Sequence, residues 1–94
     1  MALMKTRTMR KALEAKGFRP YETHHTFYIL YVDGKKTSIR TRISHGISEY
    51  GDTLLGHVRR QLGLTSKELQ DLVECPLSGE SYVALLKERG KIRP

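Results

Sequence analysis

One cysteine is the entire thiol complement of this 94-residue chain. Cys75 has no partner for an internal disulfide and none of the Cys/His company that holds zinc. It reads as a small apolar residue in or beside a core. No run of about 20 apolar residues is present, which excludes a membrane-spanning helix, and the opening MALMKTRTMRK lacks the apolar middle of a secretion signal. The expected location is cytoplasmic, away from membranes. Internal repeats, low-complexity runs and flexible linkers are also missing, so residues 1–94 are expected to form one small domain around one core. No HxH, HExxH or CxxC spacing occurs, and neither a metal nor an organic cofactor is expected. No Ser or Cys sits in a recognisable nucleophile elbow.

What the chain has in excess is positive charge, 17 basic against 10 acidic residues for a formal +7. The imbalance lies wholly in the first two thirds: 12 basic and 5 acidic side chains through Arg60, then 5 of each. A local positive field favours an anionic partner, nucleic acid first.

The stretch from Glu22 to Gly46 organises the rest. A His pair opens a strand in which Phe27, Ile29 and Tyr31 alternate with Tyr28, Leu30 and Val32. Two apolar faces mark a central strand covered on at least one side. Asp33-Gly34 suits a two-residue turn whose central residues both take positive φ. The return strand, Lys36 to Ser44, sets Thr37, Ile39, Thr41 and Ile43 against Lys36, Ser38, Arg40 and Arg42. One face packs and the other is a cationic rail.

Around this hairpin, Thr6 or Thr8 caps an amphipathic helix over Met9 to Lys16 that Gly17 stops. Phe18 to Glu22 is extended, and Pro20 favours a sheet edge because it lacks a ladder donor. After the loop Ile47 to Gly51, Asp52 is the expected N-cap of a helix over Thr53 to Leu62. Leu54, Leu55, Val58 and Leu62 form its buried stripe, Arg59 and Arg60 point toward water, and Gly63 ends it. Thr65 and Glu68 compose a capping box for a third helix with Leu69, Leu72 and Val73 inward. Pro76 ends that helix, and Ser78 caps a fourth that runs to Arg89. The pattern implies an α+β fold: an α-β-β-β-α module over about residues 5–64, helices on one sheet face, and extra C-terminal helices over 65–90. The charge-neutral tail is suited to packing or to an oligomer surface.

Four histidines carry the possible chemistry: His24, His25, His45 and His57. Adjacent strand residues point to opposite faces, so only one of His24 and His25 is expected at a given site. Histidine suits general acid/base chemistry on RNA, in which it takes the 2′-OH proton and that oxygen attacks the neighbouring phosphate, because its free pKa is near 6.5. Nearby Lys and Arg then hold the phosphate and its developing charge. Any one of these histidines alone also reads as an ordinary surface or hydrogen-bonding residue, and His45 before Gly46 as a turn former. Lys35, Lys36, Arg40 and Arg42 also read as a solvated rail that protects a sheet edge from aggregation.

The order of features resembles the HicA (YcfA-like) family of toxin–antitoxin mRNA interferases. Lys16-Gly17-Phe18 is similar to the family's helix-ending Gly-Phe. Glu22-Thr23-His24, with Phe27 three residues after the His, is similar to its Gly-Ser-His element. Ser44-His45-Gly46 resembles its His-Gly after a basic strand. Gly51-Asp52-Thr53-Leu54 and Gly63-Leu64-Thr65-Ser66 resemble the Gly-Thr-Leu and Gly-Leu-Thr/Ser that bracket its second helix. The likeness spans about Met9 to Val73. It departs at Glu22 and Thr23, where the family has Gly and Ser, and at the inserted Asp52; a Glu22 facing the site would repel phosphate.

The resemblance implies a double-stranded-RNA-binding-domain-like fold and a metal-independent endoribonuclease that cuts single-stranded mRNA. It places the catalytic His on His24 and implies a HicB-like antitoxin that covers the site. His45 is the expected assistant, with Lys35, Lys36, Arg40, Arg42 and Arg59 on RNA. Two other readings stay open. One is a non-catalytic RNA- or DNA-binding module that uses the same basic residues on phosphate; the other is a protein-interaction domain whose C-terminal helices meet another copy or an antitoxin.

Overall fold

The computed structural model describes residues 3–44, 46–74 and 76–92. His45 and Cys75, read above as a catalytic assistant and a core residue, lie outside the described residues.

Apolar alternation along β3 (Thr26–Val32) makes it the central strand of a three-stranded antiparallel sheet, with β2 (Phe18–Glu22) on one side and β4 (Lys35–Arg42) on the other. Pro20 does sit on an edge strand. Val32 pairs with Lys35 across a two-residue turn in which Asp33 and Gly34 both have positive φ, 53° and 77°. That is the conformation the Asp-Gly pair favours, because its twist matches that of the flanking strands.

Between the pairs Ile29–Arg40 and Tyr31–Lys36, β3 holds one residue and β4 holds three, so β4 is bulged. The Thr37 hydroxyl bridges the bulge, donating to the Leu30 carbonyl at 2.8 Å and lying 3.2 Å from the Ile39 amide, which donates to it. The bulge adds an even number of residues, so side-chain alternation survives it: Ile39 and Thr41 are buried while Lys36, Arg40 and Arg42 stay exposed.

Four helices are present among the described residues: α1 (Thr6–Ala15), α2 (Asp52–Leu62), α3 (Ser66–Glu74) and α4 (Gly79–Glu88). The architecture is α+β, with the order helix, three strands, helix followed by two further helices. Met9 and Leu13 of α1, Leu55, Val58 and Leu62 of α2, Leu69 and Leu72 of α3 and Tyr82 and Leu86 of α4 share one buried cluster with Phe18, Tyr28, Leu30 and Ile39 of the sheet and with Ile43 just after β4. Apolar side chains from one sheet face and four helix stripes thus leave water together, which is the main driving force for this arrangement.

Several helix boundaries differ from the sequence pattern. Helix α1 starts at Thr6 with Lys5 at its N-cap, and neither threonine caps it. Thr6 is instead buried, its amide donating to the Ser48 carbonyl at 3.0 Å and its hydroxyl to the Ile47 carbonyl at 2.8 Å. Just before it, β1 (Met4–Lys5) pairs antiparallel with β5 (Glu49–Tyr50), and β5 lies inside the Ile47 to Gly51 stretch read as a loop. Gly51 is the N-cap of α2, and Asp52 is its first helical residue, where a carboxylate complements the helix dipole. Leu54 is 37 % exposed and lies outside the buried stripe, which runs through Leu55, Val58 and Leu62.

The C-terminal helices follow their expected caps. The Thr65 amide donates to Glu68 Oε1 at 2.9 Å and the Glu68 amide to Thr65 Oγ1 at 3.2 Å, completing the capping box. The Ser78 hydroxyl accepts from the Ser81 amide at 3.1 Å. Tyr82 is fully buried, stacks on Phe18 with ring centroids 6.0 Å apart, and donates its hydroxyl to the Leu62 carbonyl at 2.8 Å. Burial raises the Tyr82 phenol pKa well above its ordinary value. Tyr82 and Leu86 therefore complete this chain's own core and are not available to a second subunit.

Candidate functional site

The histidine pair does not sit in a strand. Thr23, His24 and His25 form the bend between β2 and β3, and β3 begins only at Thr26. The Thr23 amide donates to the His25 carbonyl at 3.0 Å, folding the bend back on itself. Strand alternation therefore does not apply, and the expectation that one histidine faces away is corrected. Both His24 and His25 are exposed, and both line one cleft of about 400 Å³ with Glu22, Thr23, Thr26, Ser44 and Gly46.

The far wall of this cleft is fixed by contacts that the sequence pattern did not reveal. The Ile43 amide donates to the Thr26 carbonyl at 3.2 Å, and the Ser44 amide donates to the Tyr50 hydroxyl at 2.8 Å. Tyr50 is 4 % exposed and belongs to the β1–β5 ribbon, so this ribbon holds the chain leaving β4 against the bend. The Ser44-Gly46 side of the cleft flanks His45 in the chain. Glu22, the departure from the HicA pattern, lines the cleft itself and brings a carboxylate to it.

The sheet face opposite the core begins beside this cleft. Phe27, Ile29 and Tyr31 point there, as do Tyr21 and Arg19 from β2 and Lys36, Arg40 and Arg42 from β4, by their direct pairings across the strands. Arg19 stacks over the Tyr31 ring at 4.3 Å and Arg40 lies 5.7 Å from the Phe27 ring centroid. Ile29, only 3 % exposed yet outside the core cluster, has Arg19 and Arg40 as its cross-strand neighbours.

The five basic residues expected on RNA do not gather in one place. Arg40 and Arg42 line a hollow of about 360 Å³ with Phe27, Ser38, Thr41 and Gln61, and Arg42 stands two residues before Ser44 of the histidine cleft in the chain. Lys35 and Lys36 lie at the hairpin end, in a cleft of about 1010 Å³ shared with Lys87 and Lys91. Arg59 is on α2, in a separate hollow with His57 and Arg60, where Arg60 Nη2 is 3.2 Å from His57 Nδ1. Arg59 thus stands apart from both pairs.

Beneath the sheet, Tyr28 is buried on the core side, and its phenol pKa is raised first by that burial and then by the Glu14 carboxylate. It is a neutral structural group rather than an acid or base at the cleft. Among the described residues no group of three or more His, Cys, Asp or Glu side chains is placed to hold a metal ion, and no helix is long and apolar enough to cross a membrane. No family model matches the chain, and neither a curated protein nor a solved structure matches it.

Proposed function

We propose that this chain is a metal-independent endoribonuclease of the HicA kind, built on a double-stranded-RNA-binding-domain-like fold and acting on single-stranded RNA in the cytoplasm. The observation that carries this reading is the placement of His24 and His25 in one cleft at the end of a sheet face rich in exposed cations. Cleavage by transesterification needs a base and an acid on opposite sides of the reacting phosphorus. His24 takes the proton from the 2′-OH. The freed oxygen bonds to the adjacent phosphorus, and the bond from phosphorus to the 5′-oxygen of the next nucleotide breaks. That oxygen receives a proton from a second imidazole, for which His25 is the described candidate in the same cleft. The products are a 2′,3′-cyclic phosphate and a free 5′-OH.

Arg42 and Arg40 supply positive charge beside the cleft for the phosphate as its charge grows. A HicB-like antitoxin covering the cleft and its cationic flank is the partner that this reading carries. A second reading, a non-catalytic nucleic-acid-binding module, is favoured by the Glu22 carboxylate in the cleft, because it opposes an anionic substrate at the place where the chemistry must occur. Incubation of a long single-stranded RNA with wild-type protein, His24→Ala and His25→Ala in EDTA decides between them. The nuclease reading expects cleavage by wild type and a loss of at least about a hundredfold in His24→Ala, the size of one general-base contribution. Intact RNA with the wild-type protein, alongside salt-sensitive binding, is the outcome for a binding module.

A further inference from the structure

We propose that the outer face of the sheet is a stacking platform for the bases of single-stranded RNA, running from the histidine cleft along β3 to the hairpin. The choice of RNA rests on the ribonuclease reading; the stacking itself rests on the face. Tyr21, on the edge strand β2, is 56 % exposed, and its direct partner on β3 is Phe27. Phe27 and Tyr31 are half-buried on the same face. The rows Tyr21–Phe27–Arg42 and Arg19–Ile29–Arg40 lie side by side, and Tyr31–Lys36 closes the face four residues along β3 from Phe27, roughly 13 Å away.

Aromatic rings thus alternate with four cations on a surface to which the three strands contribute no carboxylate. Glu22, the one acid in these strands, pairs with Thr26 on the opposite alternation and lies in the histidine cleft at the platform's end. A face meant only for water has no need of a tyrosine ring, and an acidic protein partner would meet the same cations. What favours a nucleic acid strand is the pattern, since rings offer planes for bases while the guanidinium and ammonium groups between them take the phosphates. Arg19 already covers the Tyr31 ring at 4.3 Å, and a guanidinium plane is itself a surface for a base. Lys36 stands 5.8 Å from the Tyr21 centroid, near the outer limit of a cation–π contact, and Tyr21, the most exposed of the three rings, is the most open to an incoming base. A-form duplex hides its base planes by stacking them on one another and presents only groove edges and backbone. The platform therefore selects single strands.

Equilibrium binding of a fluorescent 2′-O-methyl single-stranded RNA tests this, because that strand has no free 2′-OH and cannot be cut by the proposed chemistry. Wild type, Tyr21→Ala, Tyr21→Phe and Arg40→Ala are compared on the strand and on its duplex. Tyr21→Ala is expected to weaken single-strand binding on the order of tenfold, within the range for one base stacked on an aromatic ring, and to leave the salt slope and duplex binding unchanged. Tyr21→Phe restores the affinity. Arg40→Ala lowers the slope of log affinity against log salt by roughly 0.7. Unchanged single-strand affinity in Tyr21→Ala, or equal losses on strand and duplex, overturns the platform, as does failure of the wild type to bind the strand while it binds a protein. Cleavage failing while Tyr21-dependent binding persists removes the nuclease reading alone; cleavage persisting with no Tyr21 effect removes the platform alone.

Discussion

Glu22 shows how one side chain tests the chemistry of the cleft. Its carboxylate shares the cleft with His24 and His25, where the HicA pattern has a glycine. A like charge near a bound phosphate is unfavourable and is screened by salt over about 10 Å at 0.1 M. Glu22→Gln is expected to tighten single-stranded RNA binding several-fold at low ionic strength, with the gain shrinking as salt is raised; a titration at two salt concentrations checks it. Glu68 gives a test of stability that is independent of function. Its carboxylate accepts from both Arg89 terminal nitrogens, at 2.8 and 2.6 Å, and from the Thr65 amide. The Arg89 hydrogen bond first, then the Thr65 amide, lower its pKa from 4.5 to about 2. Since the folded-state value lies below the unfolded one, this contribution is complete above about pH 4.5 and is lost as pH falls toward about 2. Glu68→Gln should therefore lower the thermal midpoint near neutrality and flatten its decline across that acid range, read by calorimetry at stepped pH.

At the level of strands and helices, what could be read from the sequence was what is encoded locally. Asp33-Gly34, the Thr65–Glu68 box and the Ser78 cap each place a turn or helix start through bonds within a few residues, and each stands where its residues indicated. The alternation of β3 and β4 also carried through the bulge. The β1–β5 ribbon was not legible, because two residues on each side have no periodicity and their pairing joins Met4 to Tyr50 across the chain. The start of α1 was hidden for the same reason, since Thr6 answers to Ser48 rather than to its own helix. The His24-His25 pair was misplaced because a bend and a strand end look alike in sequence. Tyr50 matters most among these long-range contacts, for its hydroxyl accepts the Ser44 amide at the cleft wall. Tyr50→Phe leaves that amide without its partner. It should cost about 1 kcal/mol of stability, the usual worth of one such bond. It should also reduce RNA cleavage more than RNA binding, measured as a kcat effect at nearly constant KM.

For the molecule as one body, the division of labour runs through the sheet. Its inner face is buried against four helices, and its outer face carries aromatic rings and cations out from the histidine cleft. The positive excess of the first 60 residues anticipated a cationic surface, but composition does not say where charges meet. Lys35 and Lys36 collect at the hairpin end with Lys87 and Lys91, Arg59 stands apart on α2, and Arg40 and Arg42 line a separate hollow at the end of β4 that leads into Ser44 of the histidine cleft. The neutral C-terminal helices, suited by charge to packing or to an oligomer surface, pack into the core through Tyr82 and Leu86. The decisive measurement is the chemical identity of the RNA ends left by the purified wild-type protein in EDTA. Ends consisting of 2′,3′-cyclic phosphate and 5′-OH, absent with His24→Ala, are the expected result. Ends of 3′-OH and 5′-phosphate, or cleavage that survives His24→Ala unchanged, would contradict attack by the 2′-oxygen under His24 as base.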